Sequence, residues 1–426
     1  MCACLAFCCL NSCAPQRNAL LSRLSRAYYR LRRLLRGRVG HGSMKVLPTQ
    51  QSEGAVFALS HSVGKAGAPS AKRGEFAAPC GACEMREPGT ERSLILVADT
   101  NNHRLELVSV DGEPIGKEGG SYGTLPGQYD SPQAVIRDEE AIFVCDTANN
   151  RLQKIGGNRL PGFPQCAARD CGTFHSLQGK KPRKPLEAPA ALALHGDIVY
   201  VADAHCRIMA FDTGDLVPRY EIGRSGTADA QFGGPVSSLA TYAGELYACD
   251  SGNHRVQVFA CEQRGKFVRA LGEHGRAAGQ FHRPRALAAH GDVLFVVDDA
   301  GERDGTPRSR IQALRLSDDS ALGEYILTGL VTHLHVSAPL ANAPPQMLAA
   351  DAHNHVVHVF HLRGLAAQRG RAKPGVARLN RAATRILAAQ RLSVDRSVRT
   401  ATERYAPEGQ LSQPRPSSGH RARPAA

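Results

Sequence analysis

Three groups of residues in this chain have types and spacings that could do chemistry. His333 and His335 stand two residues apart, as do His353 and His355. In a strand that spacing puts both imidazoles on one face, the beginning of a metal site. Zinc takes a third or fourth ligand and no further spacing supplies one, so His333 and His335 are only weak metal candidates. Cys80 and Cys83 form a lone C-x-x-C with no second pair, and Cys166 and Cys171 are separated by four residues in a loop. The 13 cysteines make an odd total, five of them crowded at positions 2, 4, 8, 9 and 13, which is no disulfide framework. Cys145 and Cys249 each precede an aspartate and read as small buried side chains. The run Lys180, Lys181, Pro182, Arg183, Lys184 suits a polyanion or an import receptor, or a solvated basic loop. There is no Walker loop, nucleophile elbow or H-E-x-x-H helix, so no catalytic or cofactor residue is named and no cofactor is expected.

The third group recurs. Asp99 is followed by Arg104, Asp146 by Arg151, Asp203 by Arg207, Asp250 by Arg255 and Asp298 by Arg310, while Asp351 has Val356 where an arginine would stand. The six aspartates are spaced 47, 57, 47, 48 and 53. A pair repeated in every unit is what packing demands and a single site does not, so these residues are read as structural turn staples. Each aspartate closes a β-prone run such as LILVAD or ELYACD, a short Asn/Gly/His turn follows, and alternating apolar residues resume at the arginine. The carboxylate is expected to accept from the turn's own amides.

A second element precedes each hairpin: GEFAAP ending at Pro79, GQYDSP before Gln133, AQFGGP before Val236 and GQFHRP before Arg285. Proline is tolerated at the first residue of a strand because no ladder donor is lost. With the segment after the second hairpin strand, such as GKFVRALGEHG, each unit holds four short strands, and six such units match a radial repeat. These residues resemble NHL repeats, whose pattern is close to Gly-Gln-Phe-x-x-Pro, a strand ending Val-Ala-Asp, then Asn-x-Arg and Val-Gln-Val-Phe. The resemblance covers about residues 55 to 360 and implies an all-β, six-bladed β-propeller of four-stranded blades. The absence of tryptophan disfavours the WD-type alternative.

Gly54 to Lys72 resembles the tail of a unit without its hairpin and is expected to complete the last blade, removing an exposed edge. Blade five departs from the pattern: Arg310 comes twelve positions after Asp298 where five is usual, so a charged loop with Arg303, Asp304 and Arg308 should protrude. That loop and the Lys180 to Lys184 run are the candidate partner-binding segments, since propeller insertions map to the faces. The NHL family includes peptide-amidating lyases that hold zinc with channel histidines after the aromatic-x-x-Pro element. Here Pro235 is followed by VSSLA and Pro284 by RALAA, so those residues do not carry over.

The net charge of +14 is not spread evenly. Residues 1–52 hold nine Lys/Arg and no Asp/Glu, residues 361–426 hold fourteen against three, and the stretch between holds 30 basic and 36 acidic residues. The domains expected are a basic Cys/Arg-rich arm at 1–52, the propeller at 53–362 and a basic arm at 363–426 with a short amphipathic helix and a disordered tail. Residues 17–38 read as an amphipathic Arg-rich helix, suited to mitochondrial or plastid import or to an anionic membrane surface, with cytoplasm as the alternative location. The functional expectation is a non-catalytic, monomeric propeller that binds a protein, with RNA as a second ligand class. Alternatives are an adaptor acting with a separate ubiquitin-ligase subunit and a metal-dependent lyase or lactonase.

Overall fold

A computed structural model describes residues 56–86, 92–115, 119–138, 140–156, 185–337 and 345–362. The two basic arms, the Lys180 to Lys184 run and Cys166 and Cys171 lie outside the described residues. No helix among the described residues is long and apolar enough to cross a membrane.

The runs that end in aspartate are the second strands of six antiparallel sheets: Ser93–Asp99, Ala141–Asp146, Ile198–Asp203, Glu245–Asp250, Val293–Arg303 and Gln346–Asp351. Their residues are apolar on both faces because a neighbouring blade covers each side. In blade four, Leu246 and Ala248 pack with Tyr200 and Phe232, while Tyr247 and Cys249 pack with Phe281 and Val296 of blade five. In every blade but the fifth, the second strand returns through the turn into a partner whose first residue lies opposite the aspartate, as in Asp99 with Arg104 and Asp250 with Arg255.

The innermost strands, Gly81–Arg86, Pro132–Arg137, Ala191–His195, Leu239–Tyr242, Ala286–His290 and Val331–Val336, touch one another in sequence, and the last touches the first. That closes a six-bladed β-propeller. Four sheets have four strands, and blades one and two show three among the described residues. In blade one the N–H groups of Ile115 and Gly119 still bond to Leu107 and Leu105, the position of a fourth strand.

Blade six is completed from the other end of the domain. Phe57–Gly64 pairs antiparallel with Val356–Leu362, from Phe57 opposite Leu362 to Gly64 opposite Val356. Phe57 is fully buried, with its ring 5.5 Å from that of Phe295 and 5.8 Å from that of Phe360. The closing strand therefore anchors in the core shared by blades five and six, and it covers the outer edge of the last sheet.

Candidate functional site

The turns after the second strands share one end of the blades with the loops that lead into the innermost strands, and the aspartates tie the two together. All six aspartates are buried. Asp250 accepts from Nε of Arg255 at 2.9 Å, Nδ2 of Asn253 at 2.8 Å and Nε2 of Gln257 at 3.0 Å. Its fourth donor is the main-chain N–H of Gly233 at 2.9 Å. The expectation that the carboxylate accepts its own turn's amides holds for Asp203 and Asp351 and is corrected for the other four. In blades one, two, four and five the amide comes from the residue after the loop aromatic: Ala77, Asp130, Gly233 and His282. The turns themselves are 3-10 turns in blades one, two and four, with Asp99, Asp146 and Asp250 making no side-chain cap. Asp203 takes the amide of His205 in its own turn, and Asp351 takes those of His353 and Asn354 beside the lead-in N–H of Leu330.

The arginines work in the same direction. Arg255 donates to the carbonyls of Ala228 and Gln231, Arg151 to those of Thr124, Leu125 and Gln128, and Arg310 to those of Arg276 and Gln280. A residue not singled out by the repeat completes the lattice. Gln153, Gln257 and Gln312 each donate to a lead-in carbonyl and accept a lead-in N–H. Blade six lacks the arginine, yet His358 stands seven residues after Asp351, as Gln257 stands after Asp250. Its Nε2 lies 3.2 Å from Asp351, and the Ser62 hydroxyl of the closing strand lies 2.7 Å from its Nδ1. Burial pushes the Asp351 carboxyl up, but His358 and Asn354 outweigh it and hold the group below its ordinary range.

A further contact joins consecutive blades. The last residue of the turn is left-handed in blades one, two, four and six, at His103, Asn150, His254 and His355. Its side chain accepts the N–H of the residue before the next blade's proline: Ser131 at 3.1 Å, Ala188 at 2.8 Å, Arg283 at 3.1 Å and Ala78 at 2.9 Å. Asparagine and histidine alternate at this position because both carry an acceptor at the δ position and both tolerate the left-handed conformation.

Against this repeating lattice, three features stand out as local. The blade five hairpin runs on past Asp298 and Arg310, pairing Asp299 with Ser309 and Arg303 with Thr306. Its extra residues are therefore a ladder and not an irregular loop, and the side chains of Arg303 and Asp304 at its tip are 70% and 89% exposed. On the same end of the molecule Tyr122 and Leu125 are exposed, with the Tyr122 ring 4.9 Å from His103. Between blades four and five, His254, His274 and His282 converge, each offering a ring nitrogen within 4.8 Å of the others. Burial, then His274, His282 and Arg283, lowers the pKa of His254.

His333 and His335 are not part of that group. His333 Nδ1 accepts the N–H of Ala82 on the innermost strand of blade one at 3.4 Å. Burial, then His335, lowers His333 to about 3, and burial, then Arg137, lowers His335 to about 4. Cys80 and Cys83 are both buried but in different clusters, and burial pushes the Cys83 thiol up to about 12. Cys145 and Cys249 are fully buried with raised thiol pKa values, leaving no thiolate nucleophile at these positions.

No family model matches the chain. Over 81 residues, 19% of its length, it is 40% identical to RING finger protein nhl-1 of Caenorhabditis elegans, and it spans 8% of that curated relative. Among solved structures, the computationally designed Ika8 protein aligns over 66% of this chain and 70% of its own, at 12% identity and a TM-score of 0.39. That likeness is too slight to argue from, and the propeller assignment stands on the strand order given above.

Proposed function

We propose that the chain is an NHL-type propeller that recruits a protein partner through the end of the ring bearing the Asp-Arg turns. The observation that carries this reading is the blade five hairpin: every other described turn stops at the aspartate, whereas this one extends a ladder with exposed charge at its tip. Segments that exceed what a fold needs are where recognition is placed. The globule between the arms carries more acidic than basic residues, which favours a protein over RNA, because RNA binding draws on a positive surface. The segment similar to RING finger protein nhl-1 supports a second reading, an adaptor working beside a separate ligase subunit. The arms belong to the proposal as targeting segments, with removal of the first arm on organelle import read by N-terminal sequencing of the native protein.

The test is to replace residues 300–308 by an Asn-Gly turn, leaving Asp299 and the buried Ser309 in place, and to compare crosslinked partners of the two full-length chains in the native cell. Because Asp298 and Arg310 are kept, the melting temperature should hold while a defined set of protein partners disappears. An unchanged partner set would refute the assignment of recognition to this hairpin. Loss of ribonuclease-sensitive partners alone would move the reading to RNA.

A further inference from the structure

Repetition separates what the blade requires from what it does not, and the three histidines between blades four and five belong to the second kind. The position of His254 is filled by His103 in blade one, Asn150 in blade two, Cys206 in blade three and His355 in blade six, all left-handed. Parallel bridges equate His274 with Tyr122 and Ser225. His282 follows the loop aromatic, as Ala77, Asp130 and Gly233 do. At the junction of blades one and two the three positions are therefore His, Tyr and Asp, and at that of blades three and four they are Cys, Ser and Gly. The fold asks for no imidazole at the second or third position, since Ser225 and Gly233 serve there.

We propose that His254, His274 and His282 form a binding site for a divalent metal of the zinc class at the blade four–five junction. Neutral imidazoles are ligands for such ions, and three of them with an open fourth position suit tetrahedral zinc. The ring centroids lie 4.3, 5.5 and 5.6 Å apart. In a tetrahedral site, ligand nitrogens about 2.0–2.1 Å from zinc sit about 3.3 Å from one another. The ligand atoms here, within 4.8 Å, need a small closure that the exposed His274 can supply by rotating. Outside the group, the Nδ1 of His282, shielded from solvent and without a hydrogen-bond partner, lies 3.8 Å from a carboxylate oxygen of Asp299, which also faces Arg285 at 3.4 Å. A carboxylate behind a ligating imidazole is the usual outer partner of a metal-bound histidine.

His254 gives the site a consequence for the fold. Its Nδ1 accepts the N–H of Arg283, so the ring proton of the neutral form sits on Nε2. A metal on Nε2 moves that proton to Nδ1, and a metal on Nδ1 takes the acceptor itself. Either way metal binding exchanges the Arg283 hydrogen bond for coordination and loosens the clasp between blades four and five.

The experiment titrates the full-length chain with zinc chloride alone, comparing wild type with His274→Gln, His282→Gln and, as the equivalent position elsewhere, His103→Gln. Side-chain nitrogen NMR on histidine-labelled protein reads the rings directly and sets aside zinc taken by cysteines. One zinc per chain should shift the ring nitrogens of these three histidines. The two junction variants should weaken that event at least tenfold and His103→Gln should not. Amide exchange at Arg283 should accelerate when zinc is added. Ring nitrogens that do not respond to zinc, or a response equally strong in His274→Gln, would overturn the site. His274 is exposed, so that variant retains the fold and its result stands without a stability correction.

Discussion

A carboxylate sealed from water is tolerable only when every lone pair is occupied, and Asp250 shows how the repeat meets that condition. Two side-chain amides, a guanidinium and a distant main-chain N–H converge on it. Asp250→Ala strands all four donors and should cost about 3 kcal/mol in equilibrium denaturation. Asp250→Asn, which keeps one oxygen, should cost less. An unchanged midpoint for the alanine variant would mean that the network is not structural. The aspartate and its arginine were legible in the sequence because they lie four or five residues apart. The Gly233 donor was not, since it lies 17 residues upstream and only the fold brings it near. His358 stands out in the sequence only as one histidine of a histidine-rich sixth unit, because it replaces the glutamine of other blades and not the missing arginine. The three clustered histidines were hidden because positions 254, 274 and 282 fall on three separate segments that meet only when two blades stack.

At the scale of elements, the lead-in loops explain why glycine recurs before the aromatic. Gly223 has φ +89°, and a Cβ there would meet the ring of Phe232 at 2.3 Å. Gly244, in the turn between the first two strands of blade four, has a similar φ of +82° but open space around it. Gly223→Ala therefore combines conformational strain with a clash against a fully buried ring and should cost about 3 kcal/mol, whereas Gly244→Ala carries the strain alone, about 1 kcal/mol. Equal melting temperatures for the two variants would contradict the packing argument. Hairpins and their order were readable from the spaced aspartates and the aromatic-x-x-Pro elements. The form of the blade five insertion was not, because a charged stretch of that length can be a loop or a continued ladder, and the pairing of Arg303 with Thr306 decides it.

For the whole molecule, the half-buried histidines on the innermost strand of blade six make the ring sensitive to acid. His333 and His335 titrate near 3 and 4 when folded, below the ordinary imidazole value of 6.5. Between those values the unfolded chain binds more protons than the folded one. Their contribution is therefore intact above about pH 6.5 and falls as the pH drops toward 4. The expected loss is on the order of 1 kcal/mol per pH unit for each histidine. Denaturation curves at pH 7 and pH 5 should show it, and His333→Asn should flatten the dependence. Stability equal at both pH values, once carboxylate effects are matched by the variant, would refute it. Closure of the ring was foreseen from the likeness of Gly54 to Lys72 to a unit's tail, and the register from Phe57 to Gly64 shows how it is made.

That closure is also where the account can be tested most directly, because a propeller held as one body by a shared blade should melt as one body. The measurement is calorimetric unfolding of two truncations, one lacking residues 1–52 and one lacking residues 1–64. The first keeps the closing strand with Phe57 and Ser62 and should melt in a single transition at the temperature of the full chain. The second exposes the edge of blade six and the core around Phe295 and Phe360, and should melt far lower or without a cooperative transition. Equal melting temperatures would contradict the claim that the chain's two ends share the last blade.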